Sequence, residues 1–222
     1  MKLSNDTTNI LKNFSGINTG IFIKKGNVLK TVSGGKNILA QATVGDDFPA
    51  DFGIYDLNGF LSVLTLNKDP NLEFDGKNIL IEGLNGRSKL KYRMTEPSMI
   101  VTPPEKEVKF ASVDASFTLT QDDYEWVVKT SSVLQSTHVS FKSDGVKVYA
   151  YSFNAGDDSA HSNATEFADG NGTTFNIIFK TENLKMLPGS YNIEVSGNVV
   201  SFKNATKEIQ YWIAAEVGSS IG

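Results

Sequence analysis

Residues 6–42 and 120–152 spell out one order of elements twice, and no other feature limits the fold as much. The first copy reads as helix (DTTNILKNF), loop, strand (GIFIKK), Gly-Asn turn and strand. The second reads as helix (TQDDYEWVVKTSSVL), strand (HVSFK), Ser-Asp-Gly turn and strand (VKVYAYS). A further unit follows each copy: YDLNGFLSVL leads into LEFDGKNILIEG, and KTENLKML leads into YNIEVSGNVVSFKN. Lys12 and Lys129 hold matching places in the first unit, and Leu57 and Leu184 do so in the second. Spacing drifts between the copies, so they share a plan and differ in their loops. A doubled α+β plan with no evident chemistry in either half points to a scaffold or a ring segment before an enzyme.

The 222 residues fit two domains of about 110 each, and each copy is long enough for its own core. The absence of cysteine excludes a disulfide framework and thiolate metal sites, and fits a reducing cytosol. MKLSNDTTNI lacks the apolar stretch of a signal peptide. No run approaches the ~18 apolar residues of a membrane span, so no membrane partner is expected. Against 25 acidic residues stand 21 Lys and Arg, a formal net charge of −4. That balance argues against a protein that coats nucleic acid over its whole surface, but not against a local basic face.

Strands dominate the rest. Runs such as GKNILIEG, SKLKYRM, KVYAYSF, TTFNIIFK and NVVSFKN are joined at Lys25-Gly26-Asn27, Asp75-Gly76-Lys77, Asp144-Gly145 and Gly197-Asn198. Gly and Asn accept the positive φ of tight hairpin turns, so mostly antiparallel sheet is expected. Four segments carry helical periodicity. At 5–14, Thr7, Ile10, Leu11 and Phe14 share one face, with Thr8 and Lys12 opposite and Ser4 or Asn5 as cap. At 56–65 the stripe is Leu57, Phe60, Leu61 and Leu64, capped by Asp56. At 121–134 it is Tyr124, Val127, Val128 and Leu134, capped by Thr120. A brief fourth helix is expected at 181–187, capped by Thr181 and ended by Pro188-Gly189.

The stretch 94–109 (MTEPSMIVTPPEKEVK) holds three prolines and a mixed charge cluster. It is the domain boundary, which places the halves at 1–108 and 109–222. Its triplet Met99-Ile100-Val101 is a strand or a surface patch. The polar run 154–172 reads as an exposed loop with one short edge strand at 161–167.

Catalytic constellations are scarce. Of the two histidines, His138 opens a strand and reads as structural or exposed. Asn154, Asp157, Asp158 and His161 lie close in sequence and offer oxygens to a hard cation, but their spacing matches no metal loop. A solvated loop is the reading for that cluster, and solvated surface for Asp46-Asp47 and Glu105-Lys106-Glu107. No metal or other cofactor is expected, and no catalytic residue. Two features stand apart. Lys12 and Lys129 occupy the polar sides of their helices, and Lys68 and Lys185 lie in or after the second helix of each copy. Such lysines form a repeated basic face if the helices line one surface. The last strand, Tyr211-Trp212-Ile213-Ala214-Ala215, carries apolar groups on both sides, so one side needs cover.

The opening MKLSNDTTNILKNFSGINTGI, Ile54-Tyr-Asp-Leu-Asn-Gly-Phe-Leu61 and Asn183-Leu-Lys-Met-Leu-Pro-Gly-Ser-Tyr191 resemble the DNA polymerase sliding clamps of T-even-type bacteriophages. The similarity runs from the first residue to about 217. The resemblance implies a fold of two pseudo-repeated processivity domains, with antiparallel sheets outside and two helices per domain lining a ring. It implies a homotrimer that encircles duplex DNA, tethers the replicative polymerase, is opened by an ATP-dependent clamp loader and supports late transcription. It implies no enzymatic activity and a place in the cytoplasm of the infected bacterium. Lys12, Lys68, Lys129 and Lys185 would then face DNA. Trp212 and Ala214, with Met99, Ile100 and Val101 opposite, would border a partner-peptide pocket. The rival readings are a β-rich oligomeric phage structural protein, and a hydrolase or metal-dependent binding module built on 154–161.

Overall fold

The computed structural model describes residues 1–83, 86–157 and 159–222. It divides into two compact units, Met1–Glu105 and Lys106–Gly222.

The first unit opens with helix α1 (Asn5–Ser15). Ser4 caps it: its hydroxyl accepts from the Thr7 N–H at 3.2 Å, satisfying a donor that lacks a helical partner. Thr7, Ile10, Leu11 and Phe14 are buried, as the periodicity predicts. Each large apolar side chain so buried contributes about 1.5–3 kcal/mol. The cap is tied down from a strand. Asp46 Oδ2 accepts from the Ser4 N–H at 2.7 Å. Asp46 is therefore not merely solvated surface. Partial burial opposes its charge, yet the Thr7 and Ser4 hydrogen bonds hold its carboxyl below the usual range.

Strands β1 (Ile21–Ile23), β2 (Gly26–Val32), β3 (Ile38–Phe48) and β4 (Phe52–Ile54) follow, with β2 antiparallel to β3 and β1 to β4. Helix α2 (Leu57–Thr65) is capped by Asp56, whose carboxylate accepts from Gly59 N at 2.9 Å. It lies beside α1, joined by a Ser15 to Asn58 hydrogen bond of 2.8 Å. Strands β5 (Asn71–Phe74), β6 (Asn78–Gly83) and β7 (Ser88–Arg93) close the unit as an antiparallel sheet in that order. The β5–β6 turn places Gly76 at φ 85°, as a tight hairpin requires.

The second unit repeats the theme with β8 (Ala115–Leu119), α3 (Gln121–Val133), β9 (His138–Asp144), β10 (Lys147–Phe153), β11 (Asn163–Asp169), β12 (Thr174–Lys180), β13 (Tyr191–Ser196), β14 (Val199–Asn204), β15 (Ile209–Ala214) and β16 (Ser220–Ile221). One sheet runs β11-β10-β9-β12-β16; in the other, β15, β14, β13 and β8 are antiparallel neighbours. The two sheets meet through aromatic rings. Phe117 of β8 stacks on Phe175 of β12 at 5.3 Å, and Phe141 of β9 approaches Phe202 of β14 at 6.4 Å. The expected edge strand at 161–167 is β11, two residues further along and seven residues long.

The fourth predicted helix does not form. Thr181–Asn183 makes one 3-10 turn, without a side-chain cap, and Leu184 leaves helical geometry at ψ 56°. Pro188 disfavours helix at the residue before it. The backbone groups a helix would pair internally go to three tyrosines instead. Tyr124 Oη donates to the Leu184 and Met186 carbonyls at 3.3 and 2.8 Å. Tyr191 Oη donates to the Leu187 carbonyl, and Tyr211 Oη accepts from the Leu187 N–H at 3.1 Å. Thr181 does not cap; its hydroxyl donates to the Ser136 carbonyl at 2.7 Å. The second unit therefore carries one α-helix among its described residues, not two.

Candidate functional site

The helices position the lysines singled out by the sequence. Because α1 turns Ile10, Leu11 and Phe14 inward, Lys12 projects to solvent on the opposite side. On α3, Tyr124, Val127 and Ser131 face the sheet, and Lys129 is exposed. The Ser131 hydroxyl meets that of Ser152 on β10 at 3.0 Å, which fixes the rotation of α3. Lys68 is exposed in the turn after α2, and Lys185 is exposed in the tyrosine-pinned segment. Among the described residues, none of Lys12, Lys68 and Lys129 is held in an ion pair, so their ammonium groups stay available to an outside anion.

The residues proposed for a partner pocket have unequal exposure. Met99 ends a 3-10 turn (Pro97–Met99) and is 64% exposed, and Val101 is exposed too. Ile100 points inward: a Cβ built on Gly53 would lie 3.0 Å from its Cδ1, and one on Gly20 would lie 3.5 Å from its Cγ1. Ile100 thus seats the strap 95–105 on the first unit. Asn18 reinforces it by donating to the Val101 carbonyl at 3.0 Å, and Lys24 pairs with Glu105 at 2.8 Å. The hydrogen bond and charge of Glu105 raise the Lys24 pKa, and those of Lys24 lower that of Glu105. In the second unit, Trp212 is only 9% exposed and sits opposite Ser201, while Ala214 is half-buried.

Sequence reasoning missed a groove of 330 Å³ between the strap and the strands of the first unit. Phe22, Val28 and Lys30 form one wall, and Pro97, Pro103 and Pro104 form the other. The proline content of 94–109 was visible, but the strand it would cover was not. A second groove of 390 Å³ runs along α3, lined by Val128, Val133, Met186 and Pro188. It lies where the predicted fourth helix gives way to extended chain.

Among the described residues of 154–161, no cation cage assembles. Asp157 spends its carboxylate on Ser159, accepting from its N–H at 3.0 Å and its hydroxyl at 2.6 Å. Those hydrogen bonds hold the Asp157 pKa low. Asp158 lies outside the described residues. Among them, no group of three or more His, Cys, Asp and Glu is placed to hold a metal. His138 Nδ1 lies 2.8 Å from the Thr137 hydroxyl, and its ring lies 5.8 Å from that of Phe153. No helix among the described residues is long and apolar enough to cross a membrane.

Two units of antiparallel sheet backed by helices with exposed lysines define a sliding-clamp fold, and solved clamps share it. A. fulgidus PCNA, in a structure with the C-terminal region of FEN-1, superposes with a TM-score of 0.67 at 13% identity, covering 96% of each chain. The Helicobacter pylori beta clamp bound to a DNA ligase peptide gives 0.70 at 12% identity, covering 98% of this chain and 65% of that one. Residues 4–102 match the DNA polymerase processivity factor family. The sliding clamp of Enterobacteria phage T4 is 31% identical over 99% of both chains. The chain belongs to this family of phage sliding clamps, the processivity factors of DNA replication.

Proposed function

We propose that the protein acts as a closed homotrimeric ring around duplex DNA, holding the replicative polymerase on its template while doing no chemistry of its own. Lys12 and Lys129 carry this reading: both project from the free faces of capped helices, at matching places in the two units. Ammonium groups so placed attract phosphates without reading bases, giving weak, salt-sensitive and sequence-independent contact. Weak contact suits sliding, since tight contact would stall it. Persistence then comes from topology, and a tethered polymerase sees its primer end at an effective concentration on the order of mM. The net charge of −4 fits an exterior that repels DNA while the lysine faces attract it. Lys68 and Lys185 join the DNA-facing set, and the chain contributes two ring segments, 1–108 and 109–222.

Partner contacts are assigned to the exposed Met99 and Val101 with Ile100 in the first unit, and to Trp212 and Ala214 in the second. The peptide-bound relatives support a peptide mode of capture. A ring must be opened to enclose DNA, so an ATP-dependent loader is a required partner, and the late-transcription machinery is a second client. Both act in the cytoplasm of an infected bacterium. Sedimentation equilibrium tests the assembly. Three times the chain mass supports it, and a monomer at micromolar concentration contradicts it.

A further inference from the structure

Helix α3 packs on one face of the sheet β11-β10-β9-β12-β16 in the second unit. Val148, Ala150 and Ser152 of β10 point to that face and are buried, and the Ser152 hydroxyl meets that of Ser131 on α3. The alternate residues Tyr149, Tyr151 and Phe153 point to the opposite face and are half-buried. Strand β9 runs beside them with Lys142 opposite Tyr149 and His138 opposite Phe153. Strand β12 extends the second of these rows, with Lys180 opposite His138. Directly opposed residues share a face, so one face carries a column of three rings with Lys142, His138 and Lys180 alongside.

An antiparallel sheet with one covered face ordinarily alternates apolar residues inward with polar residues outward. The outward Tyr-x-Tyr-x-Phe of β10 departs from that rule. The Tyr149 and Tyr151 ring centroids lie 6.3 Å apart, and the His138 ring lies 5.8 Å from that of Phe153, 30° from parallel. Lys142 and Lys180 are exposed, and neither is in an ion pair among the described residues. The nearby acids are engaged at the turn end of the sheet. Glu166 and Asp169 share Lys147 at 2.9 and 2.8 Å, and Asp144 accepts from the Val146 and Lys147 N–H groups at 2.8 and 2.7 Å. An apolar dock alone would not set free ammonium groups beside its rings, and a phosphate surface alone would not need the rings.

We infer that this face binds a short run of single-stranded DNA, with bases stacked on Tyr149, Tyr151 and Phe153 and phosphates held by Lys142 and Lys180. Aromatic side chains beside a basic track are the general means of holding unpaired strands, because every base has a π-face to offer. The ring spacing is about twice the ~3.4 Å rise of a duplex strand, which leaves room for one base beside each ring of an extended chain. The bases of a duplex are paired and stacked, so a duplex has no free base face for these rings. The site therefore differs in kind from the helix lysines Lys12 and Lys129, which meet phosphates alone.

Fluorescence anisotropy of a short labelled oligo(dT), titrated with the full chain at low salt, tests it. The wild type binds the probe. Lys142→Glu with Lys180→Glu weakens binding about tenfold or more and leaves the melting temperature unchanged, since both side chains are exposed. Lys142→Ala with Lys180→Ala lowers the slope of log affinity against log salt by about 1.4, at about 0.7 per phosphate contact on a single strand. Tyr149→Ala with Tyr151→Ala weakens binding about fivefold or more, whereas Tyr149→Phe with Tyr151→Phe keeps the rings and the affinity. Lys12→Glu with Lys129→Glu leaves the probe bound. A wild type that does not bind, full binding by the Lys142 and Lys180 variants, equal loss in the Phe and Ala pairs, or loss confined to the Lys12 and Lys129 variant overturns the inference. So does a blunt duplex that displaces the probe as readily as unlabelled oligo(dT). The ring reading survives each of these results, because it rests on the helices and on assembly.

Discussion

Trp126 on α3 and Thr165 on β11 are joined by a hydrogen bond of 3.0 Å, so an exposed indole is held at a sheet edge and not left to roam. Thr165→Val keeps the shape and removes the acceptor. The loss should lower stability by about 0.5–1.5 kcal/mol, read by urea denaturation, and broaden the rotameric freedom of Trp126, read by fluorescence anisotropy. Unchanged anisotropy would mean the indole is fixed by packing alone.

Charge reversal at Lys12 and Lys129 should weaken DNA association without touching the cores, since both side chains are exposed. Removing one lysine–phosphate interaction should lower the slope of log affinity against log salt by about 0.9. Filter binding to a closed circle from low to moderate salt reads the slope. An unchanged slope would remove these lysines from the DNA-facing set.

Trp212 and Met99 should separate stability from partner binding. Trp212 is almost wholly buried, so Trp212→Ala opens a cavity and should cost about 3–5 kcal/mol. Met99 is exposed, and Met99→Asp should change stability by no more than about 0.5 kcal/mol while reducing polymerase stimulation. Paired thermal melts and primer-extension assays measure both. Full stimulation by Met99→Asp would move the partner site off the strap.

The second unit should lose stability in alkali. Burial pushes the Tyr191 phenol up to about 12, and raises those of Tyr124 and Tyr211 as well. A folded pKa above the unfolded one gives stability that is complete below the ordinary phenol value of 10.0 and is lost as pH climbs toward 12. Urea midpoints between those limits should fall steadily, and less steeply in Tyr191→Phe. A flat midpoint would contradict the buried tyrosine cluster.

Three helices were legible because each joins a capping residue to an apolar stripe: Ser4 with Ile10 and Phe14, Asp56 with Leu57 and Phe60, Thr120 with Tyr124 and Val127. The hairpin turns at Gly76, Gly145 and Gly197 were legible through glycine, and all three adopt positive φ. The segment 181–187 misled because its apolar residues repeat at helical spacing, while Tyr124, which claims the Leu184 and Met186 carbonyls, lies about sixty residues away. The Lys24 to Glu105 pair and the seat of Ile100 on Gly20 and Gly53 were hidden for the same reason: they join residues tens of positions apart. Exposure of the candidate lysines follows from helix phase, but the depth of Trp212 depends on what covers its strand. A period-two pattern does not reveal that.

The most direct measurement follows polymerase extension on a primed circle carrying the loaded protein, before and after the circle is cut far from the primer. A ring that holds DNA by topology should support long products on the closed circle and lose that support within the time needed to slide off the cut ends. Equal stimulation on closed and cut templates would show that the protein grips DNA by direct binding, and would contradict the clamp mechanism.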